Sequence, residues 1–268
     1  MIIAPIRCAS RQRCSRRVVL TWGQISCVTL SEALSHLAIG LADGTVLLYR
    51  HLSLSSGSSS LTAVPKPKVI HESPTEPVTG LGFREHSPDD AAQHLFLFIV
   101  TTNHVLAYQA SGKGGSAQPI VVDEVGCALG CATMDQRSRE MVIARDEAIY
   151  VCGTEGRGAC YAHEGRKSSI RAYGNYLVIV TPPFTPSAAS NSATIRNFVA
   201  RALNATSTDV SKVTVFDPEN KIVAFSGPFQ EGVREVLCIW GKIYILSNDG
   251  KVCFAVVLVD NTLTVCCS

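Results

Sequence analysis

The sequence predicts an all-β chain folded as a WD40-like β-propeller, an incomplete one with about five recognisable blade units. Three observations predict it. Short β-branched and aromatic runs recur along the whole chain, turn signals (Gly, Asp, Asn or Pro) bound each run, and the runs repeat as one phrase. That phrase is a strand, a loop, a strand ending in a small residue, a tight turn, and a strand ending in an aromatic residue or Cys.

The first unit reads Cys27-Val28-Thr29-Leu30, then His36 to Leu41, the pair Asp43-Gly44, and Thr45 to Tyr49. Asp-Gly between two apolar runs is a strong hairpin signal and suggests a tight type I′ turn, whose two central residues take positive φ. The second unit runs Val78 to Phe83, Leu95 to Val100, the turn Thr102-Asn103, and Val105 to Tyr108. The third is Gly130 to Met134, Met141 to Arg145, Asp146-Glu147, and Ala148 to Cys152. A fourth joins Tyr176 to Val180 with Lys212 to Asp217 across a long insertion. The last runs Val236 to Trp240, Ile243 to Leu246, Asn248-Asp249-Gly250, and Lys251 to Phe254.

The units recur at roughly 45 to 60 residues, near the period of propeller blades. Four-stranded blades packed radially bury alternate faces against their neighbours, which this pattern suits. A sandwich also uses many short strands, but its hairpins do not recur as one phrase. Five units are fewer than the six or seven of a closed ring, and an open ring leaves strand edges unpaired.

Composition allows such a core. Of 268 residues 46% are apolar and 17% charged, and mean hydropathy is +0.20. A formal charge of +2, without a basic stripe interleaved with aromatics, gives no footprint for nucleic acid. No run of 18 apolar residues occurs, so membrane association is expected to be peripheral and to come through partners.

Residues 1–24 are expected to be a basic, poorly ordered segment, with Arg7, Arg11, Arg13, Arg16 and Arg17 among Ile2, Ile3 and Val18 and no acid. A transit peptide has the same composition. The propeller region is expected over 25–251, with insertions at 53–60 and 182–211 and an atypical tail at 252–268. The first insertion is Ser-rich. The second is rich in Pro, Ser, Ala, Thr and Asn, and Ile195 to Arg201 within it has the makings of a short helix. Long loops on such scaffolds carry partner contacts, so both are candidate interface regions. The tail is apolar and β-prone, an aggregation liability if uncovered.

Eleven cysteines, an odd number without a clear signal peptide, read as buried free thiols, as at Cys127, Cys152 and Cys238. Several places carry residue types used in catalysis or ligand binding. Cys127/Cys131 and Cys152/Cys160 lack the second ligand pair a tetrahedral zinc site needs. Asp89-Asp90, Asp123-Glu124 and Asp146-Glu147 sit beside predicted turns and read as solvated punctuation rather than as catalytic pairs. Ser111 to Gly115 has the residue types of a phosphate loop without its spacing, and the seven histidines are scattered. Asn204-Ala205-Thr206 matches a glycosylation sequon, a pattern common by chance. No catalytic, cofactor-binding or metal-ligating residue is therefore assigned, no cofactor is expected, and the chain is not expected to be an enzyme.

Three stretches carry a family resemblance. His71 to Phe83 resembles a blade-opening segment of the class C vacuolar protein sorting family. Ala144 to Tyr150, running on through Gly153 to Gly158, is similar to another. Gly232 to Val236 with Ile243 to Lys251 is similar to the later blades. The resemblance covers about residues 25 to 251 and points to the fungal, RING-containing member shared by the HOPS and CORVET complexes. It implies a scaffold in endosome-to-vacuole transport and membrane fusion, cytoplasmic and peripheral on endosome and vacuole membranes. It further implies other class C subunits as partners, with small GTPases or SNAREs as further candidates. A standalone propeller binding module, or a truncated product, is the alternative. The solenoid and RING finger of the family are absent from this sequence, and 252–268 does not resemble the family's continuation.

Overall fold

A computed structural model describes residues 24–52, 66–85, 94–110, 118–183, 210–239, 242–257 and 263–267. Among them are twenty β-strands and no helix, grouped as five four-stranded antiparallel sheets. Blade 1 comprises β1 (Ile25–Leu30), β2 (His36–Leu41), β3 (Val46–Arg50) and β4 (Lys68–His71). Blade 2 comprises β5 (Val78–Arg84), β6 (Phe96–Thr101), β7 (Val105–Gln109) and β8 (Ile120–Asp123). Blade 3 comprises β9 (Ala132–Asp135), β10 (Glu140–Ala144), β11 (Ala148–Gly153) and β12 (Gly156–Ala162). Blade 4 comprises β13 (Ser169–Tyr173), β14 (Tyr176–Thr181), β15 (Ser211–Asp217) and β16 (Ile222–Phe229). Blade 5 comprises β17 (Val233–Ile239), β18 (Lys242–Ser247), β19 (Val252–Val257) and β20 (Leu263–Cys267).

The expected phrase accounts for the first three strands of blades 1, 2, 3 and 5 and for β14 and β15 of blade 4, whose first strand β13 it did not contain. The fourth, outermost strands β4, β8, β12 and β16 were not part of it. Residues 252–257 and 263–267 form β19 and β20, hydrogen-bonded in register into the fifth sheet, Cys253 opposite Cys267 and Val257 opposite Leu263.

The innermost strands meet in succession, β1 with β5, β5 with β9, β9 with β13, and β13 with β17. β1 and β17 form no comparable contact, so among the described residues the blades make an open arc. The cores lie between blades. Ala38, Val46, Leu48 and Ile70 pack on Leu97, Ile99, Leu106 and Tyr108 between blades 1 and 2. Phe98, Val100 and Ala107 meet Met141, Ile143 and Val151, and Ile170, Leu177 and Ile179 extend the same cluster to blade 4. Val178, Val180, Val213 and Val215 meet Val236, Ile243, Ile245 and Cys253.

Close approach of blades explains two glycines. A Cβ on Gly40 of β2 would fall 2.7 Å from Val78, and one on Gly80 of β5 would fall 2.5 Å from the Cβ of Ala132. Only a residue without a side chain lets the facing inner strand come this near.

The hairpin at Asp43-Gly44 departs from the expected two-residue type I′ turn. Leu41 and Thr45 close the ladder through Leu41 N–H donating to Thr45 O at 2.9 Å, and the loop is Ala42-Asp43-Gly44. Positive φ is confined to Gly44, at 82°. A type I turn followed by a left-handed glycine is the three-residue solution, and Asp43 stabilises it by accepting from Thr45 N–H at 3.0 Å. Blade 5 repeats it at Asn248-Asp249-Gly250, where Gly250 has φ 88°.

Candidate functional site

The acidic pairs fall in different settings. Asp123, expected to be a solvated turn residue, is buried at the end of β8. Its carboxylate accepts from Arg157 of β12, through Nε to Oδ2 and through Nη2 to Oδ1 at 2.6 Å. The guanidinium also lies 4.7 Å over the ring of Tyr150. Asp123 ties the outer strand of blade 2 to blade 3; the sequence shows only its turn, because the partner lies 34 positions away. Asp146-Glu147 forms the two-residue β10–β11 turn, and Glu147 pairs at its exposed end with Arg145 at 3.0 Å. Asp89-Asp90, Ser111 to Gly115, Asn204 to Thr206 and Ile195 to Arg201 lie outside the described residues, as do 53–60 and most of 182–211.

Cys127, Cys131 and Cys152 are buried free thiols in one cluster, and Cys238 is half-buried. Burial pushes the Cys127 and Cys152 thiols up to about 12, so both stay protonated and behave as small apolar groups. Among the described residues no three His, Cys, Asp or Glu side chains gather as a metal centre.

Two polar constructions were invisible in the sequence. In blade 2, Glu76 accepts from Thr101 Oγ1 at 3.0 Å and pairs with His104 Nδ1 at 2.8 Å. Those bonds hold its carboxyl below the usual carboxylate range. Between blades 2 and 3, a cleft of about 340 Å³ is bordered by Thr102, Gly126, Cys127, Cys131, Arg145 and Lys167. Lys167, only 4% exposed, points its ammonium at backbone carbonyls and not at a carboxylate: those of Arg145, Asp146 (3.1 Å) and His163. Desolvation pulls its pKa down. The ammonium fastens the β10–β11 turn to the link into blade 4, and Asp146 and Glu147 of that turn also border the cleft.

Among the described residues, one sheet face exposes several large apolar side chains. In blade 1, Val28, Ile39, Leu47 and Val69 lie opposite one another in one row, and Leu30, Leu37 and Tyr49 in the next. They point away from blade 2. Val28, Leu30 and Val69 are 55%, 47% and 46% exposed. Such a contiguous apolar face is the mark of a contact surface. Blade 5 ends the arc similarly, with Leu237 and Val252 exposed on the face turned from blade 4.

Comparison with known proteins agrees with this architecture. The chain is 33% identical over 230 residues to the mouse vacuolar protein sorting-associated protein 11 homolog, covering 85% of this chain and 22% of that protein. It is 33% identical to the human homolog over the same shares, and 30% identical to the Dictyostelium discoideum homolog, with 85% and 24% covered. The chain thus spans about a fifth of the length of these relatives. Among solved structures, the crystal structure of BBS1N in complex with ARL6DN superposes with a TM-score of 0.52 at 12% identity, covering 87% of this chain and 64% of that one. That likeness shows the shared propeller-type fold alone. The family described as PEP5/VPS11 N-terminal matches residues 7–254, nearly every described strand, and the chain belongs to that family.

Proposed function

We propose that this chain is a non-enzymatic scaffold of a vesicle-tethering assembly of the HOPS and CORVET type, acting in endosome-to-vacuole transport and membrane fusion. The family match over residues 7–254 carries the reading. The site chemistry supports it: the cleft lysine is spent on backbone, the buried thiols are protonated, and the large free surfaces are apolar sheet faces. Its partners are other class C subunits, and small GTPases or SNAREs are further candidates. Membrane association is peripheral, through those partners; among the described residues no helix is long and apolar enough to cross a bilayer. In this reading 25–251 is the propeller region, 1–24 is a separate basic segment, and the segments 53–60 and 182–211 are the partner-contacting regions.

The test is co-purification of the tagged chain with class C subunits from cells, against a variant lacking 184–209. Recovery by the whole chain and loss with the deletion, at unchanged β-type circular dichroism, supports the scaffold role. A folded chain that recovers no such subunit leaves a standalone binding module instead.

A further inference from the structure

The second strand of each blade carries one pattern on the side turned to the preceding blade. There stand Leu97 and Ile99 of β6, Met141 and Ile143 of β10, Leu177 and Ile179 of β14, and Ile243 and Ile245 of β18. None of these is more than 3% exposed, because the preceding blade covers them. β2 repeats the pattern with Leu37 and Ile39, set opposite Tyr49 and Leu47 as Leu97 and Ile99 are set opposite Tyr108 and Leu106. In blade 1 that pair is only half-buried.

The side turned to the following blade obeys a second pattern. Phe98 and Val100 of β6, and Val178 and Val180 of β14, are at most 1% exposed beneath the blade that follows. Their counterparts on β18, Tyr244 and Leu246, are half-buried. Each of the four junctions between blades thus sets the following side of one blade on the preceding side of the next. Among the described residues, blade 1 exposes its preceding side, with Val28 and Val69, and blade 5 its following side, with Leu237 and Val252. The two do not meet within one copy, where β1 and β17 form no comparable contact. They are apolar sheet faces that match by the rule the molecule already uses four times, which marks them as a contact surface.

We propose that the exposed face of blade 5 in one copy seats on the exposed face of blade 1 in a second copy, so that the chain associates head to tail. The contact continues between copies the stacking that joins blade to blade within each. It is heterologous, so every added copy leaves one face of each kind at the ends, and growth stops only where a ring closes. A face four strands wide and five residues long spans about 19 by 17 Å. That is well under the roughly 800 Å² per partner of a standard interface, so association is expected at micromolar rather than nanomolar concentration. The junction is independent of the tethering reading, since it needs no other subunit.

Sedimentation of the full chain across micromolar concentrations reads the association. Expected is a weight-average mass that rises with concentration. Val28→Lys with Val69→Lys blocks one end, and Leu237→Lys with Val252→Lys blocks the other; all four positions are exposed, so the substitutions leave the cores between blades intact. Each variant alone is expected to sediment as a single chain. Mixed one to one, the intact blade 5 of the first variant joins the intact blade 1 of the second, and the mixture forms pairs that grow no further. Three results overturn the proposal: a wild-type mass that stays that of one chain, either variant alone associating as the wild type does, or a mixture of folded variants that remains single chains. Serine at the same positions, read in the same way, replaces lysine if a variant loses its β-type circular dichroism.

Discussion

Asp123 and Arg157 meet side on, two nitrogens to two oxygens, where the rim of blade 2 touches blade 3. The carboxylate is nearly inaccessible while the guanidinium is 41% exposed. The unequal burial decides what the pair is worth. The arginine keeps much of its hydration, and the aspartate depends on it.

Removing Arg157 therefore leaves a buried carboxylate without its partner. Arg157→Met is expected to destabilise the chain by about 2 kcal/mol, below the range for fully buried pairs because the arginine is partly solvated. Asp123→Asn, which retains a hydrogen-bonding carbonyl and needs no counter-charge, is expected to cost less. Urea unfolding of both variants and of the double variant checks the order.

Packing between blades makes the inner-strand glycines sensitive to a single methyl. Gly80→Ala sets a Cβ 2.5 Å from that of Ala132, and the two blades must part. The expected loss is about 1–3 kcal/mol. Gly158→Ala, whose new Cβ meets only the Val151 carbonyl at 3.5 Å, is the matched control and is expected to stay near wild type. Thermal melts distinguish the two.

Acid is expected to weaken the fold in two stages. Burial pulls the pKa of His36, His71 and His163 down, so the folded state favours their neutral forms. Their contribution is complete above the ordinary histidine value of about 6.5 and is lost as pH falls below it. Glu76, held low by His104 and Thr101, contributes above the ordinary carboxylate range and is lost only as pH falls through its lower folded value. Urea midpoints are expected to drop between pH 7 and pH 5.5 and again in the acid range. His163→Gln is expected to shrink the first step, and Glu76→Gln the second.

Thiol reactivity should follow burial. Cys127 and Cys152, with pKa values raised to about 12, are expected to resist brief iodoacetamide treatment of the native chain at neutral pH. Cys160 is exposed and is expected to react first of the seven described cysteines. Peptide mass spectrometry reads the order, and early labelling at Cys127 would show that the cleft floor opens.

The part of the fold that is legible in the sequence is the part set by local rules. Gly44 and Gly250 mark their hairpins because each takes a left-handed φ, and the central strands show as apolar runs because both faces are buried. The rim strands fail that test. β12, Gly156 to Ala162, has little buried surface and so no apolar pattern to read. The polar constructions were missed for another reason: Asp123 is 34 positions from Arg157, and Lys167 is 22 from the Arg145 carbonyl. Burial of such a group is decided by a partner that no local window contains. The hairpin type at Asp43-Gly44 escaped because one positive φ, not two, suffices for a three-residue loop.

Among the described residues every hydrogen-bonded ladder joins strands that are consecutive in the chain, and each blade's four strands follow one another in sequence. A polypeptide wired this way need not wait for its far end before its beginning takes shape. As the chain leaves the ribosome, blade 1 is complete while blade 2 is still being made, and its inner wall offers the next strand a prepared seat. Assembly then has the direction of synthesis, and the fidelity of each blade rests on the one before it.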